Sequence, residues 1–266
     1  MKKYILLICL VAILVPGIFF LSSFKNSFCR NSIKGNIISM DSINVLSQQE
    51  QSEGWILLFD GVTTEGWRGY GKDAFPESGW TVENGTLKCV GAKNRATGEA
   101  PGGDIIYNRR FGNFHLKIDW KVSVSGNSGI FYLGQESKDY PVIWLTAPEM
   151  QILDNENHPD ANAGKNGNRK AGSLYDLIPA VPQNAKSAGN WNTAEIVINK
   201  GHVMHYQNGV KVVEYRLWTS EWNELVDSSK FPALNPTWAN VAGEGYFGLQ
   251  DHGDDVWFRN IKVRPL

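Results

Sequence analysis

A strict alternation of apolar and polar residues over Phe114–Val122 constrains the fold more than any other feature of this sequence. Every even-numbered position from 114 to 120 carries a large apolar side chain, and the residues between them are polar. Successive side chains of an extended strand point to opposite faces, so this pattern is typical of a strand with one face on a core. The stretch therefore predicts a β-sheet that buries one of its two faces.

Similar short segments, separated by turn residues, continue from Gly54 to the C-terminus, and Asn84-Gly85 and Asn208-Gly209 are hairpin signals. The expected strands are Trp55–Phe59, Trp80–Val82, Thr86–Val90, Asp104–Tyr107, Phe114–Val122, Ile130–Leu133, Glu149–Ile152, Asn192–Asn199, Gly201–Gln207, Val210–Leu217, Gly245–Gln250 and Val256–Val263. Thr219–Lys230 has apolar residues at helical spacing, which predicts one short surface helix. About a dozen strands without long helices predict an all-β sandwich of two antiparallel sheets.

The N-terminal residues have the pattern of a targeting segment. Lys2-Lys3 precede an apolar run from Tyr4 to Leu21, which predicts a signal peptide or an N-terminal anchor over residues 1–21. The polar, unpatterned residues 22–53 are expected to form a linker, and residues 54–266 a single domain. We therefore expect an exported protein that is periplasmic or envelope-associated. It would contact a membrane only through an uncleaved N-terminal segment.

Composition narrows the class of partner. The formal net charge is −1, so no strong electrostatic field attracts nucleic acid. Ten Trp and nine Tyr favour β-structure, and both side chains can also stack on sugar rings. Most of these aromatic side chains are nevertheless expected to be core residues.

The segment Pro148–Tyr175 holds the densest set of candidate functional residues. It opens as a strand in which Met150 and Ile152 point one way while Glu149 and Gln151 point the other. Polar groups on the outer face of a rigid strand are well placed to bind a ligand. The alternative interpretation of the whole segment is a solvated surface loop.

The loop after this strand contains His158 between several carboxylates. Asp154 and Glu156 are candidate ligands for a hard divalent cation such as Ca²⁺, although the spacing matches neither an EF-hand nor a zinc signature. The sequence itself requires no cofactor. A metal at this loop is therefore one of two open alternatives.

Alternation against apolar neighbours adds residues from later strands. Gln250, Arg259 and His205 are predicted to point away from the core, as Glu149 does. If one sheet is curved, these distant side chains meet in a single groove. Arg259 beside a carboxylate and amides could hold sugar hydroxyls by charge-assisted hydrogen bonds, and a surface ion pair is the alternative. A structural histidine is the alternative for His205.

An ordered set of short motifs resembles the 3-keto-disaccharide hydrolase domain family. The motifs are Leu58-Phe59-Asp60-Gly61, Gly66-Trp67, Gly103-Asp104-Ile105-Ile106, Asn127-Ser128-Gly129-Ile130-Phe131, Pro148-Glu149 through Gln151 to Asp154 with His158, Ala171-Gly172, Tyr175-Asp176, Trp191-Asn192, His205 with Asn208-Gly209, Gly248-Leu249-Gln250-Asp251-His252 and Phe258-Arg259-Asn260-Ile261. They extend from Gly54 to Val263 in the order of the family. The resemblance implies a concanavalin-like jelly roll, a bacterial envelope or secreted location and action on glycosides oxidised at C3.

Carboxylate spacing disfavours an ordinary two-carboxylate glycosidase. Glucanases of this fold use paired carboxylates at alternate positions of one strand, whereas positions 149, 151 and 153 here are Glu, Gln and Leu. The resemblance implies an easier route, because a C3 carbonyl acidifies the C2 proton. One base, one stabiliser of the enolate and one acid then suffice to eliminate the C1 oxygen.

The catalytic candidates for this elimination are Glu149, His158, His252 and Arg259. Glu149 or His158 is the expected base, and Arg259 or a bound cation is expected at the enolate oxygen. His252 or His205 is the expected acid. The substrate-binding candidates are Gln151, His205, Gln250, Asp104 and Tyr175.

Two other protein classes suit the same fold. A non-catalytic, lectin-like carbohydrate-binding module is the main alternative, and an envelope structural protein is the weaker one. Clustered ionisable groups favour an enzyme, since a lectin groove needs mainly aromatic and amide side chains. No Gly-x-Gly-x-x-Gly fingerprint is present, so a separate sugar 3-oxidoreductase is the expected source of the keto sugar.

Overall fold

The computed structural model describes residues 43–266, which form thirteen strands, three short α-helices and two 3₁₀ helices. The strands are β1 (Ile56–Leu57), β2 (Trp67–Gly69), β3 (Trp80–Glu83), β4 (Thr86–Cys89), β5 (Ile105–Tyr107), β6 (Phe114–Val122), β7 (Asn127–Gly134), β8 (Glu149–Leu153), β9 (Asn192–Asn199), β10 (His202–Gln207), β11 (Val210–Arg216), β12 (Tyr246–Leu249) and β13 (Val256–Pro265). The helices are α1 (Gln48–Ser52), α2 (Ser220–Asp227) and α3 (Phe231–Leu234), and the 3₁₀ helices span Ile143–Leu145 and Pro159–Asn162.

The strands form two antiparallel sheets. The larger has eight strands in the order β11-β10-β9-β6-β13-β4-β3, with β1 also paired to β13. The smaller has five strands in the order β2-β5-β12-β7-β8. This confirms the predicted all-β, two-sheet jelly-roll sandwich.

The main core lies between the inner faces of the two sheets. In β6 every second residue is buried, from Phe114 to Val122, as the alternation predicts. Met150 and Ile152 of β8 contribute to the same core from the smaller sheet. Consequently Glu149 lies on the outer face of the smaller sheet.

An aromatic stack anchors the segment that contains α2 and α3. Thr219 begins α2 by accepting a hydrogen bond from the backbone N–H of Trp222 at 3.2 Å. Trp222 stacks on Tyr215 of β11 at 5.4 Å and on Trp238 at 5.8 Å, and Trp238 stacks on Phe231 at 4.0 Å. Each such pair contributes about 0.5–1.5 kcal/mol beyond the area that it buries. The stack fixes the α2–α3 junction against the sandwich.

The ordered domain begins upstream of Gly54. Ser47 and Glu50 form a reciprocal capping box at the start of α1. Asn44 and Asn260 exchange two hydrogen bonds of 2.7 and 2.8 Å, which attach this segment to β13. The predicted linker over residues 22–53 is therefore corrected in its last part, because polar side chains there cap a helix and bind the sheet.

The predicted targeting segment over residues 1–21 lies outside the described residues. Within residues 43–266, no helix combines the length and hydrophobicity needed to cross a membrane.

Candidate active site

A cavity of about 380 Å³ lies on the outer face of the five-stranded sheet. Glu149 and Gln151 of β8 and Asn127 of β7 line it from the sheet. The other lining residues come from connecting segments, and they are Trp144, Asp160, Tyr175, Lys230, Phe231, Leu234, Gln250 and His252. One wall is thus apolar and aromatic while the others are polar, as in many ligand sites.

Glu149 is held in the floor of this cavity because Gly129 leaves room for it. A Cβ atom at Gly129 would lie 1.8 Å from Glu149 Oε1, so any other residue at that position of β7 would displace the Glu149 carboxyl group. The side chain of Glu149 is only 8% exposed. Burial raises the pKa of Glu149 to about 8; the negative charge of Asp104 adds to this effect, and the positive charge of Lys230 opposes it.

The Gln151 amide is the neighbour that satisfies this carboxylate. With its nitrogen turned toward Glu149, it donates to Oε1 at 3.2 Å and to the Ser128 carbonyl at 3.0 Å. Among residues 43–266, no ion pair of a lysine or arginine with Glu149 is formed. The carboxyl group is therefore buried with little compensation, which is costly for its ionised form.

A closed ring of contacts holds Lys230 at the opposite wall. Lys230 Nζ donates to the Tyr175 hydroxyl at 3.3 Å, and that hydroxyl donates to Asp160 Oδ2 at 3.1 Å. Arg169 donates to Asp160 at 2.9 Å and to Asp176 at 2.5 Å. Lys230 Nζ lies 3.9 Å from Asp176 Oδ2, which closes the ring. We call these five residues the Lys230 ring.

The surroundings of Lys230 make it a better proton donor than an exposed lysine. Burial lowers its pKa from the ordinary value, whereas the charge of Asp176 acts in the opposite direction. Its ammonium group also lies over the Tyr175 ring, 4.4 Å from the centroid. Sequence patterns gave no role to Lys230. Its position at the end of the predicted helix, just before Phe231-Pro232, was the available signal.

Gln250 and His252 line the cavity from the other side. Both follow β12, which pairs with β7, whereas Tyr175 belongs to a segment that hydrogen-bonds to the far edge of β8. The buried pair of Arg95 and Asp251, with contacts of 2.7 and 2.9 Å, fixes the segment between Gln250 and His252.

Asp104 lies beside the cavity. Its carboxylate accepts a hydrogen bond of 3.0 Å from the Asp251 backbone N–H. Burial raises the pKa of Asp104 to about 7, and its charge also acts on Glu149. The structure thus places this predicted substrate-binding residue near Glu149, without making it part of the cavity lining.

His158 lies next to His252, with ring centroids 6.0 Å apart. His158 Nδ1 accepts the Asp160 backbone N–H at 3.1 Å, so a neutral imidazole carries its proton on Nε2. Burial lowers the pKa of His158, and the neighbouring His252 lowers it further. His158, His252 and Asp254 offer ligand atoms within 4.8 Å of one another, the geometry of a possible metal group.

The predicted metal pair of Asp154 and Glu156 is corrected by the structure. Asp154 accepts hydrogen bonds from the backbone N–H groups of Ser125 and Glu156 and from the Asn157 amide, at 2.8, 3.1 and 2.8 Å. Burial raises the pKa of Asp154, but these hydrogen bonds outweigh it and hold the pKa below the usual value. Glu156 is exposed. Asp154 therefore organises the loop, and both of its carboxylate oxygens accept hydrogen bonds within it.

The expectation that Arg259 joins Glu149 is wrong, because β13 belongs to the other sheet. Arg259 lies on the outer face of the eight-stranded sheet, 3.4 Å from Asp119, with its guanidinium 4.0 Å from the Trp191 ring centroid. Alternation correctly gave its direction but could not show which sheet contains it.

The prediction that His205 points away from the core is also wrong, since this side chain faces the core and is fully buried. Its Nε2 lies 2.8 Å from the Tyr132 hydroxyl, which in turn lies 2.6 Å from the Tyr215 hydroxyl. Nδ1 donates to the Gly172 carbonyl at 3.2 Å. Burial lowers the pKa of His205 to about 4. It is a satisfied structural histidine.

Comparison with known proteins gives the class to which this site belongs. A Bacteroides thetaiotaomicron protein named 3-keto-disaccharide hydrolase is 50% identical over 243 residues, covering 85% of this chain and 82% of the relative. Two crystal structures from Parabacteroides distasonis, named as candidate glycosyl hydrolases, have TM-scores of 0.73 and 0.62 at 29% and 30% identity. They cover 85% and 80% of this chain, and 100% and 99% of their own. The fold and the site thus define an enzyme of the glycoside hydrolase class.

The family follows from the match of a family model to residues 54–264, nearly the whole described domain. The chain belongs to the family of 3-keto-alpha-glucoside-1,2-lyase-like domains.

Proposed function

We propose that this enzyme cleaves 3-keto-disaccharides and related 3-keto-glycosides by abstracting the C2 proton and eliminating the C1 oxygen. The observation on which this depends is Glu149, a nearly buried carboxyl group whose pKa is raised to about 8. A base with a pKa near the working pH is effective in proton transfer. The family and the named relative support the substrate class.

In the first step Glu149 takes the proton from C2, and the C2–H electron pair forms the enolate with its charge on the C3 oxygen. In the second step the C3 carbonyl returns, a C1–C2 double bond forms and the C1–O bond breaks. The departing oxygen receives a proton from an acid. Addition of water to C1 and of a proton to C2 then gives the 3-keto sugar, which completes hydrolysis.

Two groups near Glu149 can serve the C3 and C1 oxygens. Lys230 lies beyond one edge of β8, and His252 lies on the side of β12. C1 and C3 flank C2 in the sugar ring, so a base at C2 leaves one oxygen for each group. The positive charge in the cavity thus comes from Lys230 and not from Arg259. Gln151, Gln250 and Asn127 supply amides for the remaining hydroxyl groups.

The second acid in the cavity does not act as a nucleophile in this proposal. Asp160 lines the cavity, but its oxygens accept hydrogen bonds from Arg169 and Tyr175 at 2.9 and 3.1 Å. A retaining glycosidase needs a free carboxylate about 5–5.5 Å from its acid partner. The cavity therefore supports elimination better than double displacement. In a non-catalytic lectin, a buried carboxyl group without an ion-pair partner would only lower the stability of the fold.

A divalent cation at His158, His252 and Asp254 fits incompletely. Metal binding through His158 Nε2 requires that nitrogen to lose its proton, whereas Nδ1 already accepts the Asp160 N–H. Our reaction scheme therefore contains no metal. Turnover after extensive chelation, with and without added divalent ion, tests this choice; complete loss that only a metal restores would contradict it.

Location and substrate supply remain proposals based on the sequence. We propose export to the periplasm or envelope, because Lys2-Lys3 and the apolar run to Leu21 resemble a targeting segment. A separate sugar 3-oxidoreductase would supply the keto sugar. Cell fractionation, with a variant lacking residues 1–21, tests the first proposal.

Incubation of the purified domain with a 3-keto-disaccharide tests the function directly. We expect release of the second sugar and no cleavage of the same disaccharide without the keto group. Equal cleavage of both sugars would contradict the proposal, since elimination depends on the C3 carbonyl.

A further inference from the structure

A second cavity of about 450 Å³ adjoins the active site. Lys230 lines both cavities, and Arg169 and Asp176 of the Lys230 ring line the second one. The ring therefore lies between the two cavities, and Lys230 is the residue that they share. Both volumes are in the range of small-ligand sites.

The lining of the second cavity suits an uncharged sugar. Asn166 offers an amide group, while Leu225 and Pro179 provide apolar surface for the C–H face of a ring. The Ser228 hydroxyl at the rim already donates to the Leu225 carbonyl at 2.8 Å. The charge of Arg169 is neutralised by its contacts with Asp160 and Asp176. Lys165, which also lines the cavity, is exposed and can donate hydrogen bonds to sugar hydroxyl groups.

We propose that the second cavity binds the leaving sugar of the disaccharide, so that the scissile bond lies beside Lys230. This inference rests on the proposed function. The 3-keto ring occupies the first cavity with C2 at Glu149, and the second ring lies on the far side of Lys230. Lys230 is then the acid at the C1 oxygen, and His252 serves the C3 oxygen.

The elimination moves two electron pairs and one proton. The enolate electrons form the C1–C2 double bond, the C1–O electron pair goes to the departing oxygen, and Lys230 gives that oxygen a proton. Neutral Lys230 recovers its proton from water. A substrate with a small leaving group depends less on the second cavity, and a substrate with a good leaving group depends less on Lys230.

Ser228 offers a test outside the catalytic machinery. It is exposed at the C-terminal end of α2 with ordinary right-handed φ and ψ, so Ser228→Trp places a large ring in the second cavity without backbone strain. Ser228→Ala is the matched control. We expect Ser228→Trp to raise KM for a 3-keto-disaccharide at least about tenfold while KM for methyl 3-keto-glucoside stays unchanged. Ser228→Ala should change neither.

The outcomes separate the two proposals. If the wild type cleaves both substrates and Ser228→Trp affects neither, or both equally, the second cavity is not the leaving-sugar site. If the wild type cleaves neither, the proposed function fails. In that case, saturation-transfer NMR of free glucose binding tests the second cavity independently of turnover. Binding to the wild type that Ser228→Trp abolishes supports the inference; equal binding, or no binding to the wild type, overturns it.

Discussion

The outer faces of both sheets carry glutamates. On the eight-stranded sheet Glu195 is paired with cations, whereas on the five-stranded sheet Glu149 is buried without a cation from residues 43–266 in contact. On the eight-stranded sheet, Glu195 lies 2.6 Å from His115 and 3.8 Å from Lys117, and these partners hold its pKa below the usual value. On the five-stranded sheet, the α2–α3 segment and the loop after β8 cover Glu149 and give its carboxyl group no such partner. A covered carboxyl group without a cation becomes a weak acid, whereas a paired one remains ionised.

This difference explains why the outer face of the five-stranded sheet, and not that of the eight-stranded sheet, is the candidate active site. Ion pairs such as Arg259–Asp119 remain partly exposed and contribute little to stability or chemistry. Burial of Glu149 costs stability but provides a base with a useful pKa. Variants on one face can therefore be compared with matched variants on the other.

The largest effect is expected for Glu149→Gln. Loss of the base that we propose for C2 should lower kcat/KM for a 3-keto-disaccharide by more than about 10³-fold, while circular dichroism stays unchanged. Arg259→Met, on the other face, should keep wild-type kinetics. Comparable losses in the two variants would remove the distinction between the faces.

Lys230→Met should have the next largest effect. Loss of the cation and proton donor is expected to lower kcat for the disaccharide about 10²-fold. The loss should be much smaller with a nitrophenyl 3-keto-glucoside, whose leaving group needs no acid. Lys121→Met, which removes a lysine stacked on Trp191, is the matched control. An equal loss on both substrates would argue against Lys230 as the acid.

The contributions of Glu149 and Glu195 to the free energy of unfolding should change with pH in opposite directions. The folded-state pKa of Glu149 is raised to about 8, so its contribution is most favourable below the unfolded-state pKa and is lost as pH rises toward 8. Glu149→Gln should therefore gain stability over the wild type between pH 5 and 8, by on the order of 3 kcal/mol at neutral pH. Urea unfolding at several pH values measures this.

Glu195 provides the opposite sign. Its hydrogen bond with His115, and the charge of Lys117, lower its pKa in the folded state. Its stabilising contribution is present above the unfolded-state pKa and is lost as pH falls, so Glu195→Gln should destabilise the protein modestly at neutral pH. A stability gain in this variant would contradict the contrast between the faces.

The smallest effect concerns Asp176. Its charge raises the pKa of Lys230, so Asp176→Asn should shift the alkaline limb of the kcat profile to lower pH and reduce kcat severalfold. Asn tolerates the left-handed backbone of this position, where φ is 60°. A lower kcat without any shift of the limb would indicate a merely structural role.

Much of the fold could be predicted from local patterns. The alternation in β6, the Asn-Gly hairpins and the helical spacing of Trp222 and Val226 each report a local backbone preference that tertiary contacts reinforce. The predicted surface helix is α2, although Trp222 and Val226 bury one of its faces. The short strand β2 was missed because three residues cannot establish a period.

Alternation gave the part of the site that one strand determines, and Tyr175, Gln250 and His252 from the family motifs also line the cavity. Glu149 and Gln151 face outward together because they alternate on β8, and this needs no knowledge of topology. The prediction for Arg259 was wrong because alternation shows which face of its own sheet a residue lies on, but not which of the two sheets contains the strand. Lys230 could not be found because its approach to Tyr175 depends on how aromatic stacking docks α2 and α3.

Hydrogen exchange at C2 tests the central role of Glu149 most directly. The wild type in D₂O should incorporate deuterium at C2 of a 3-keto-glycoside, observed by NMR, with a rate that rises toward an apparent pKa near 8. Glu149→Gln should abolish this exchange. Cleavage by the wild type without any C2 exchange or C2 isotope effect, or full exchange in Glu149→Gln, would contradict the account.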